Sequence, residues 1–317
     1  MTNKSLQLLF GAMHHGKYDI EDFLHGIVAS NYDSITVKGR PVYRPDKKLK
    51  AYHAFINAFV CDYLDVNRRV VFSYRKGVNP HTAVAAHAGN RAFFQTDIAN
   101  FFGSIDREMV RSTLATRSTR VPIADLADHI ERILDLTTTL EGALPVGFST
   151  SPPISNSCLA GFDDELETHC RSINLTYTRY SDDLLLSAKS RDHLSGIEAA
   201  IGQMLRTHFS SKLQLNPAKS KFTSVGRKVK MLGMVVLPTG QVTVDRELKN
   251  RIEVLLHFYL RDREKFLAVV DNDLKGGIEK LSGYINYLNA ADTRYLEKVR
   301  RKFGATVIDS FLHKSAL

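Results

Sequence analysis

The sequence predicts an α+β fold in which short buried strands hand carboxylates to loops and amphipathic helices close the chain. Three observations carry this expectation. AFFQTDI at 92–98 is apolar and ends on an acid. LTYTRY at 175–180 runs into Ser181-Asp182-Asp183 and resumes as LLLSA, the pattern of a hairpin with two carboxylates at its tip. From Leu248 onward apolar residues recur at helical intervals.

Taken in order, residues 1–40 mix short helical stretches with turns. Between Lys48 and Leu64, the spacing of Leu49, Phe55, Ile56, Phe59, Val60 and Tyr63 predicts a helix. VVFSYRKGVNP at 70–80 alternates and then breaks at Gly77 and Pro80, as a strand ending in a turn would. After Asp97 a turn around Gly103 leads to a helix beginning near Asp106. A helix around 193–208 precedes two strand-like pieces, KVKMLGMVV and GQVTV, with PTG as the turn between them. Three helices are then expected, marked by Leu248, Ile252, Leu255 and Tyr259, by Leu274, Ile278, Leu281, Ile285 and Leu288, and by Leu296, Val299 and Phe303.

At 317 residues with 44% hydrophobic content, the chain is long enough for one large domain or a few subdomains sharing a core. It contains no apolar run long enough for a membrane span and no signal-peptide pattern at its start, so a soluble, cytoplasmic protein without a membrane partner is expected. Cys61, Cys158 and Cys170 are odd in number and far apart, which suggests neither a disulfide frame nor a zinc site. The histidines, His14 and His15 among them, form no ligand spacing and read as surface or packed residues. The formal charge is +9, and it is unevenly placed. Residues 201–317 carry 21 Lys and Arg against 11 Asp and Glu, whereas residues 1–200 carry 22 against 23. A solvated basic surface would have this composition, and so would a module that grips phosphates.

The chemistry concentrates at Asp97, Asp182 and Asp183. Strands that bring such carboxylates together create a repulsion that a divalent cation relieves, and Mg²⁺ favours a few carboxylates plus substrate phosphates. Two such ions activate an attacking hydroxyl and stabilise a leaving phosphate oxygen. Alone, Asp97 could equally cap a helix or form a turn, and Tyr180-Ser-Asp182-Asp183 is short enough to arise by chance.

Several segments in one order narrow the choice. TDIANFFGSI at 96–105, LPVGFSTSPPISN at 144–156, YTRYSDDLLLSA at 177–188, LNPAKSKF at 215–222 and MLGMVV at 231–236 together resemble a prokaryotic reverse transcriptase of the retron or defence-associated kind, over about residues 40–305. The resemblance implies a right-hand polymerase: an N-terminal region and fingers over 1–90, a palm over 91–240 that includes further fingers elements and a primer-positioning hairpin, and a helical, RNA-binding thumb over 241–317. The thumb reaches nearly to Leu317, leaving no room for a further nuclease or maturase domain.

The resemblance also implies roles. Asp97 and Asp182 are the main ligands of two Mg²⁺ ions, with Mn²⁺ as an alternative, Asp183 a weaker ligand and the Ile98 carbonyl a further donor. Phe102 packs under the sugar and excludes a 2′-hydroxyl. Arg75 holds the incoming triphosphate, Gly147 allows close approach to the nucleotide, and Lys219 stands near the leaving pyrophosphate. Ser151, Pro152 and Asn156 shape the template loop and the helix it opens, while Leu232 and Gly233 position the primer end. The sequence departs from the family in three places. Val146 stands where relatives carry Gln, Ala83-Val84-Ala85-Ala86-His87 where retrons carry Asn-Ala-x-x-His, and Met231-Leu232-Gly233 where they carry Val-Thr-Gly.

The expected reaction is synthesis of DNA from dNTPs on a dedicated noncoding RNA, which stays with its cDNA as a partner, in antiphage defence beside an effector protein encoded nearby. Two alternatives stand at this level. One is a non-retron defence reverse transcriptase making repetitive, untemplated or protein-primed DNA. The other is a catalytically idle RNA-binding scaffold.

Overall fold

Several helix starts in this chain coincide with capping side chains. In the computed structural model, which describes residues 3–28, 31–37, 39–224, 226 and 229–313, Ser5 caps α1 (Leu6–His14) and Asp19 caps α2 (Ile20–His25). An antiparallel hairpin follows, β1 (Tyr32–Val37) with β2 (Arg40–Pro45), placing Ser34 opposite Tyr43. The sequence reading expected only short helices and turns here. Most positions of both strands are exposed or half-exposed, so they show no run of buried apolar residues to signal them. Asp46 then caps α3 (Lys47–Phe59), which buries Leu49, Phe55 and Ile56 on one face as the helical spacing requires.

Further along, α4 (Pro80–Ala85) starts with a reciprocal capping box between Asn79 and Thr82. The AFFQTD stretch is β3 (Ala92–Asp97), buried at each position. Asp106 caps α5 (Arg107–Thr116), and α6 (Ile130–Thr137), α7 (Ser151–Cys158) and α8 (Ala160–Ser172) follow. The acidic hairpin is β4 (Thr176–Tyr180) and β5 (Asp183–Ala188), separated by Ser181 and Asp182. α9 (Ile197–Phe209) and β6 (Lys221–Ser224) come next. These strands form one sheet in the order β4-β5-β3-β6. The α+β class expected from the sequence is what the chain adopts.

The chain divides into two compact units, the first Met1–Gly77, Phe94–Leu186 and Leu194–Lys221, the second Val78–Phe93, Ser187–His193 and Phe222–Leu317. In the second unit β7 (Val229–Met231), β8 (Met234–Val236) and β9 (Val242–Val244) make a small antiparallel sheet. The β7–β8 turn is the expected hairpin, with Leu232 and Gly233 both at positive φ, +48° and +80°. Beyond it lie five helices rather than three: α10 (Arg246–Arg261), α11 (Arg263–Val269), α12 (Leu274–Ala291), α13 (Thr293–Phe303) and α14 (Ala305–Leu312). The difference comes from residues that end one helix and cap the next. Asp262 does so between α10 and α11 and Gly304 between α13 and α14, which adds α11 and α14 to the expected helices. Leu256, Phe266, Leu281, Ile285, Val299 and Phe311 share one core in this unit.

VVFSYRK is not a strand. Only Val71 pairs, as an isolated bridge to Arg179, with the Phe72 N–H donating to the Arg179 carbonyl at 2.9 Å and the Arg179 N–H to the Val70 carbonyl at 2.7 Å. Tyr74, at φ +55°, then turns the chain away, which ends any ladder.

Gly147 is required by its neighbours. It sits at φ +114°, and a Cβ there would stand 2.1 Å from the Tyr43 carbonyl oxygen of β2. The Tyr43 N–H also donates to the Val146 carbonyl at 2.8 Å, which fixes the approach. Gly147→Ala should therefore cost about 3 kcal/mol of stability, from backbone strain and overlap combined. Urea denaturation reads this directly, and a loss below about 0.5 kcal/mol would show that the loop is not pressed against β2.

Candidate active site

Asp97 ends β3 and Asp182 precedes β5, neighbouring strands that run in opposite directions. The Ile98 N–H donates to the Asp182 carbonyl at 3.0 Å, so the two acidic segments are bonded backbone to backbone. On the other side of β3, the stretch before Lys219 is held in place. The Ala99 N–H donates to the Gln214 carbonyl and the Asn216 N–H to the Asp97 carbonyl, both at 2.9 Å, while the Thr96 and Ser220 hydroxyls lie 2.8 Å apart. That placement lets the Lys219 ammonium donate to Asp97 Oδ2.

Asp97 is almost wholly buried, and its Oδ1 has no hydrogen-bond partner. Burial first, then the charges of Asp182 and Asp97, push the Asp183 carboxyl up to about 6, with Lys219 and Lys221 pulling the other way. Lys219 in turn is raised above the ordinary lysine range, chiefly by its bond to Asp97. Asp97, Ile98, Asp182, Asp183 and Lys219 are thus one electrostatic cluster in the first unit.

The other sequence-derived residues divide. Phe102 is half-buried, with its ring centroid 5.3 Å from that of Phe101, and is not a core residue. Arg75 donates to the Val71 and Arg68 carbonyls of its own loop. Ser151 is buried, its hydroxyl donating to the Pro145 carbonyl at 2.7 Å, and Pro152 occupies the first turn of α7. Asn156 is buried too, its amide donating to the Ser73 carbonyl at 2.9 Å. The close approach at Gly147 is made by β2 of the chain itself. Leu232 and Gly233 lie in the second unit, where the Tyr287 hydroxyl reaches the Leu232 carbonyl at 3.5 Å.

Residues 33–236 match the family described as reverse transcriptase (RNA-dependent DNA polymerase). The chain belongs to that family. This reverse transcriptase is 25% identical over 280 residues to the Retron Ec83 reverse transcriptase of Escherichia coli, covering 87% of this chain and 86% of that protein. It is 26% identical over 273 residues to the Retron Ec73 reverse transcriptase of Escherichia coli, 83% of each. With the Retron Mx65 reverse transcriptase of Myxococcus xanthus it shares 27% over 278 residues, 84% of this chain and 62% of that protein. Among solved structures, apo telomerase from Candida tropicalis aligns with a TM-score of 0.48 at 11% identity, over 68% of this chain and 54% of that one.

Sequence reasoning missed what lies beneath the acidic turn of this reverse transcriptase. Arg179 of β4 is fully buried and grips both oxygens of Asp163 on α8, Nε to Oδ1 at 2.8 Å and Nη2 to Oδ2 at 2.6 Å. Burial opposes its charge, but the Asp163 carboxylate holds it above the ordinary arginine value. Its Nη1 donates to Asn156 Oδ1 at 3.1 Å and to the Ser181 carbonyl at 3.0 Å, and the Tyr177 hydroxyl donates to Asp163 Oδ1 at 2.8 Å. Ser181 itself is held at φ +60°. One signal was available: Arg179 is a charge inside an otherwise buried strand, a place it can keep only with a partner.

The residues present fit a divalent cation, since the charges of Asp97 and Asp182 both act on the Asp183 carboxyl and Asp97 Oδ1 is buried and unpaired. Among the described residues no three His, Cys, Asp or Glu side chains are grouped closely enough to hold a metal on their own.

The raised Asp183 carboxyl makes stability depend on pH. The folded chain binds that proton more tightly than the unfolded chain, so the contribution is present below about pH 4 and lost as pH rises through about 6. In metal-free buffer Asp183→Asn should be more stable than the parent at about pH 8, by about 1–2 kcal/mol after solvent screening. Urea titrations should show the gap narrowing as the pH is lowered, and a gap independent of pH would contradict the assigned repulsion.

Proposed function

We propose that this chain copies RNA into DNA at the Asp97–Asp182 cluster, as a retron-type reverse transcriptase. The observation that carries the reading is the Ile98–Asp182 backbone bond that joins the two acidic segments, together with the buried, unpaired Oδ1 of Asp97. Membership of the family supplies the reaction class. Asp97 and Asp182 are the side chains that would hold Mg²⁺ or Mn²⁺, with Asp183 and the Ile98 carbonyl as supporting donors. Such ions, when bound, activate the primer hydroxyl and offset charge on the leaving phosphate.

The chain's own residues do the rest in this reading. Lys219, a cation already placed beside Asp97, is positioned to give a proton to the departing pyrophosphate. Phe102, half-buried, would close the space a ribose 2′-hydroxyl needs. Arg75 would leave its loop carbonyls to take a triphosphate, for which a planar guanidinium is suited. Ser151, Pro152, Asn156 and Gly147 shape the loop beside the template, and Leu232 and Gly233 present a tight turn to the primer end. Fingers over 1–90, a palm over 91–240 and a thumb over 241–317 are the corresponding division.

A dedicated noncoding RNA as template and primer, an effector encoded nearby, a cytoplasmic setting and a role in antiphage defence follow from the retron reading. It is supported by similarity to retron enzymes and by the basic C-terminal segment. Among the described residues no helix is long and apolar enough to cross a membrane.

Incorporation of labelled dNTP into DNA on an RNA template tests the reading. The parent chain should extend the primer in Mg²⁺, and Asp182→Asn should lose at least about a thousandfold in kcat. Equal incorporation by the two proteins would overturn it.

A further inference from the structure

Ser181, the residue between Tyr180 and the paired aspartates, is contacted from three directions. Its N–H donates to Ser73 Oγ at 2.8 Å, its carbonyl accepts from Arg179 Nη1 at 3.0 Å, and its hydroxyl lies 2.7 Å from that of Tyr74. Arg179 belongs to the buried frame beneath the turn. Ser73 and Tyr74 belong to the loop that carries Arg75.

The Tyr74–Ser181 contact joins two residues in the left-handed region, at φ +55° and +60°. Neither is a glycine, so both conformations persist only because their surroundings impose them. Burial does not account for Tyr74, whose side chain is 43% exposed. Burial raises the phenol above its ordinary range, the Ser181 hydrogen bond offsets part of the rise, and the charge of Asp182 adds to it. Beside it opens a cavity of about 590 Å³ whose lining includes Asp62, Arg68, Tyr74, Arg75, Lys76 and Asn156, so that cations outnumber the one carboxylate. The loop therefore faces a cationic space on one side and bonds the acidic turn on the other.

Resting on the reading of Asp182 as a metal ligand, we propose that Tyr74 is a positioning residue whose hydroxyl, through Ser181 Oγ, couples the Arg75 loop to the placement of the Asp182 carboxylate. The hydroxyl need not touch substrate. A triphosphate that draws Arg75 off its loop carbonyls shifts the same loop that fixes Ser181, so nucleotide capture and carboxylate alignment are set together. Loss of the hydroxyl leaves the cationic space intact and loosens the turn. The defect then falls on kcat rather than on KM.

A double-mutant cycle on the full chain tests this, using steady-state dNTP incorporation on an RNA template with Tyr74→Phe, Ser181→Ala and both together. Each single variant should lower kcat by roughly threefold to tenfold, the range set by one hydrogen bond, with KM for dNTP within about twofold of the parent. The double variant should be no worse than the poorer single one, because both remove the same contact. Thermal melts matching the parent's would exclude misfolding as the cause. An unchanged kcat in the single variants, losses that multiply in the double, or a Tyr74→Phe defect confined to KM would each overturn the coupling while leaving the polymerase reading intact. A parent chain that incorporates no dNTP would overturn both.

Discussion

A guanidinium sealed from solvent and gripped by both oxygens of one carboxylate is the contact on which the rest of the site depends. Arg179 and Asp163 have no exposure to water, so neither charge is tolerable without the other. Arg179 spends its remaining donors on Asn156 and on the Ser181 carbonyl, which ties α7 and α8 to the acidic turn. Removing either partner would leave a buried charge unanswered, and the strained Ser181 backbone would lose its main restraint. A buried ion pair is seldom the most stabilising choice for a core, but it is directional, and direction is what a turn carrying a carboxylate requires.

Above that frame the carboxylates oppose one another. Burial first and then this repulsion raise the Asp183 carboxyl, and Lys219 offsets part of the charge by pairing with Asp97. The buried Asp97 Oδ1 keeps no partner. Such an arrangement is unfavourable for folding alone and favourable for holding a hard cation, the usual trade between stability and function at a site of clustered charge.

Much of this was legible in the sequence, and the physical reason differs from place to place. The strand ending on Asp97 and the hairpin around Asp182 were readable because both are short apolar runs ended by charge, a pattern that side-chain chemistry alone produces. The Leu232–Gly233 turn was implied only by the family resemblance, since the residue pattern reads KVKMLGMVV as one strand-like piece where the chain folds into β7 and β8. The β1–β2 hairpin was not readable, because its residues are mostly solvent-exposed and lack a buried face. VVFSYRK alternates like a strand, yet Tyr74 and Ser73 are captured by Ser181, a contact between segments far apart in the chain that no local pattern encodes. Ser151 and Asn156, read as shaping the template loop and its helix, are buried and bonded to the Pro145 and Ser73 carbonyls, partners that no local pattern encodes. The helical periodicity of the C-terminal region carried the apolar faces correctly, but Asp262 and Gly304 act at once as stop and start, which adds α11 and α14 to the three expected helices.

The central claim is that Asp97 and Asp182 share a divalent cation, and anomalous diffraction from crystals grown with Mn²⁺ and a non-hydrolysable dNTP analogue tests it most directly. The account predicts anomalous density bounded by those two carboxylates, with Asp97 Oδ1 as a ligand and Lys219 displaced from Asp97. Density elsewhere, with Lys219 still paired to Asp97 and no metal between the carboxylates, would contradict it.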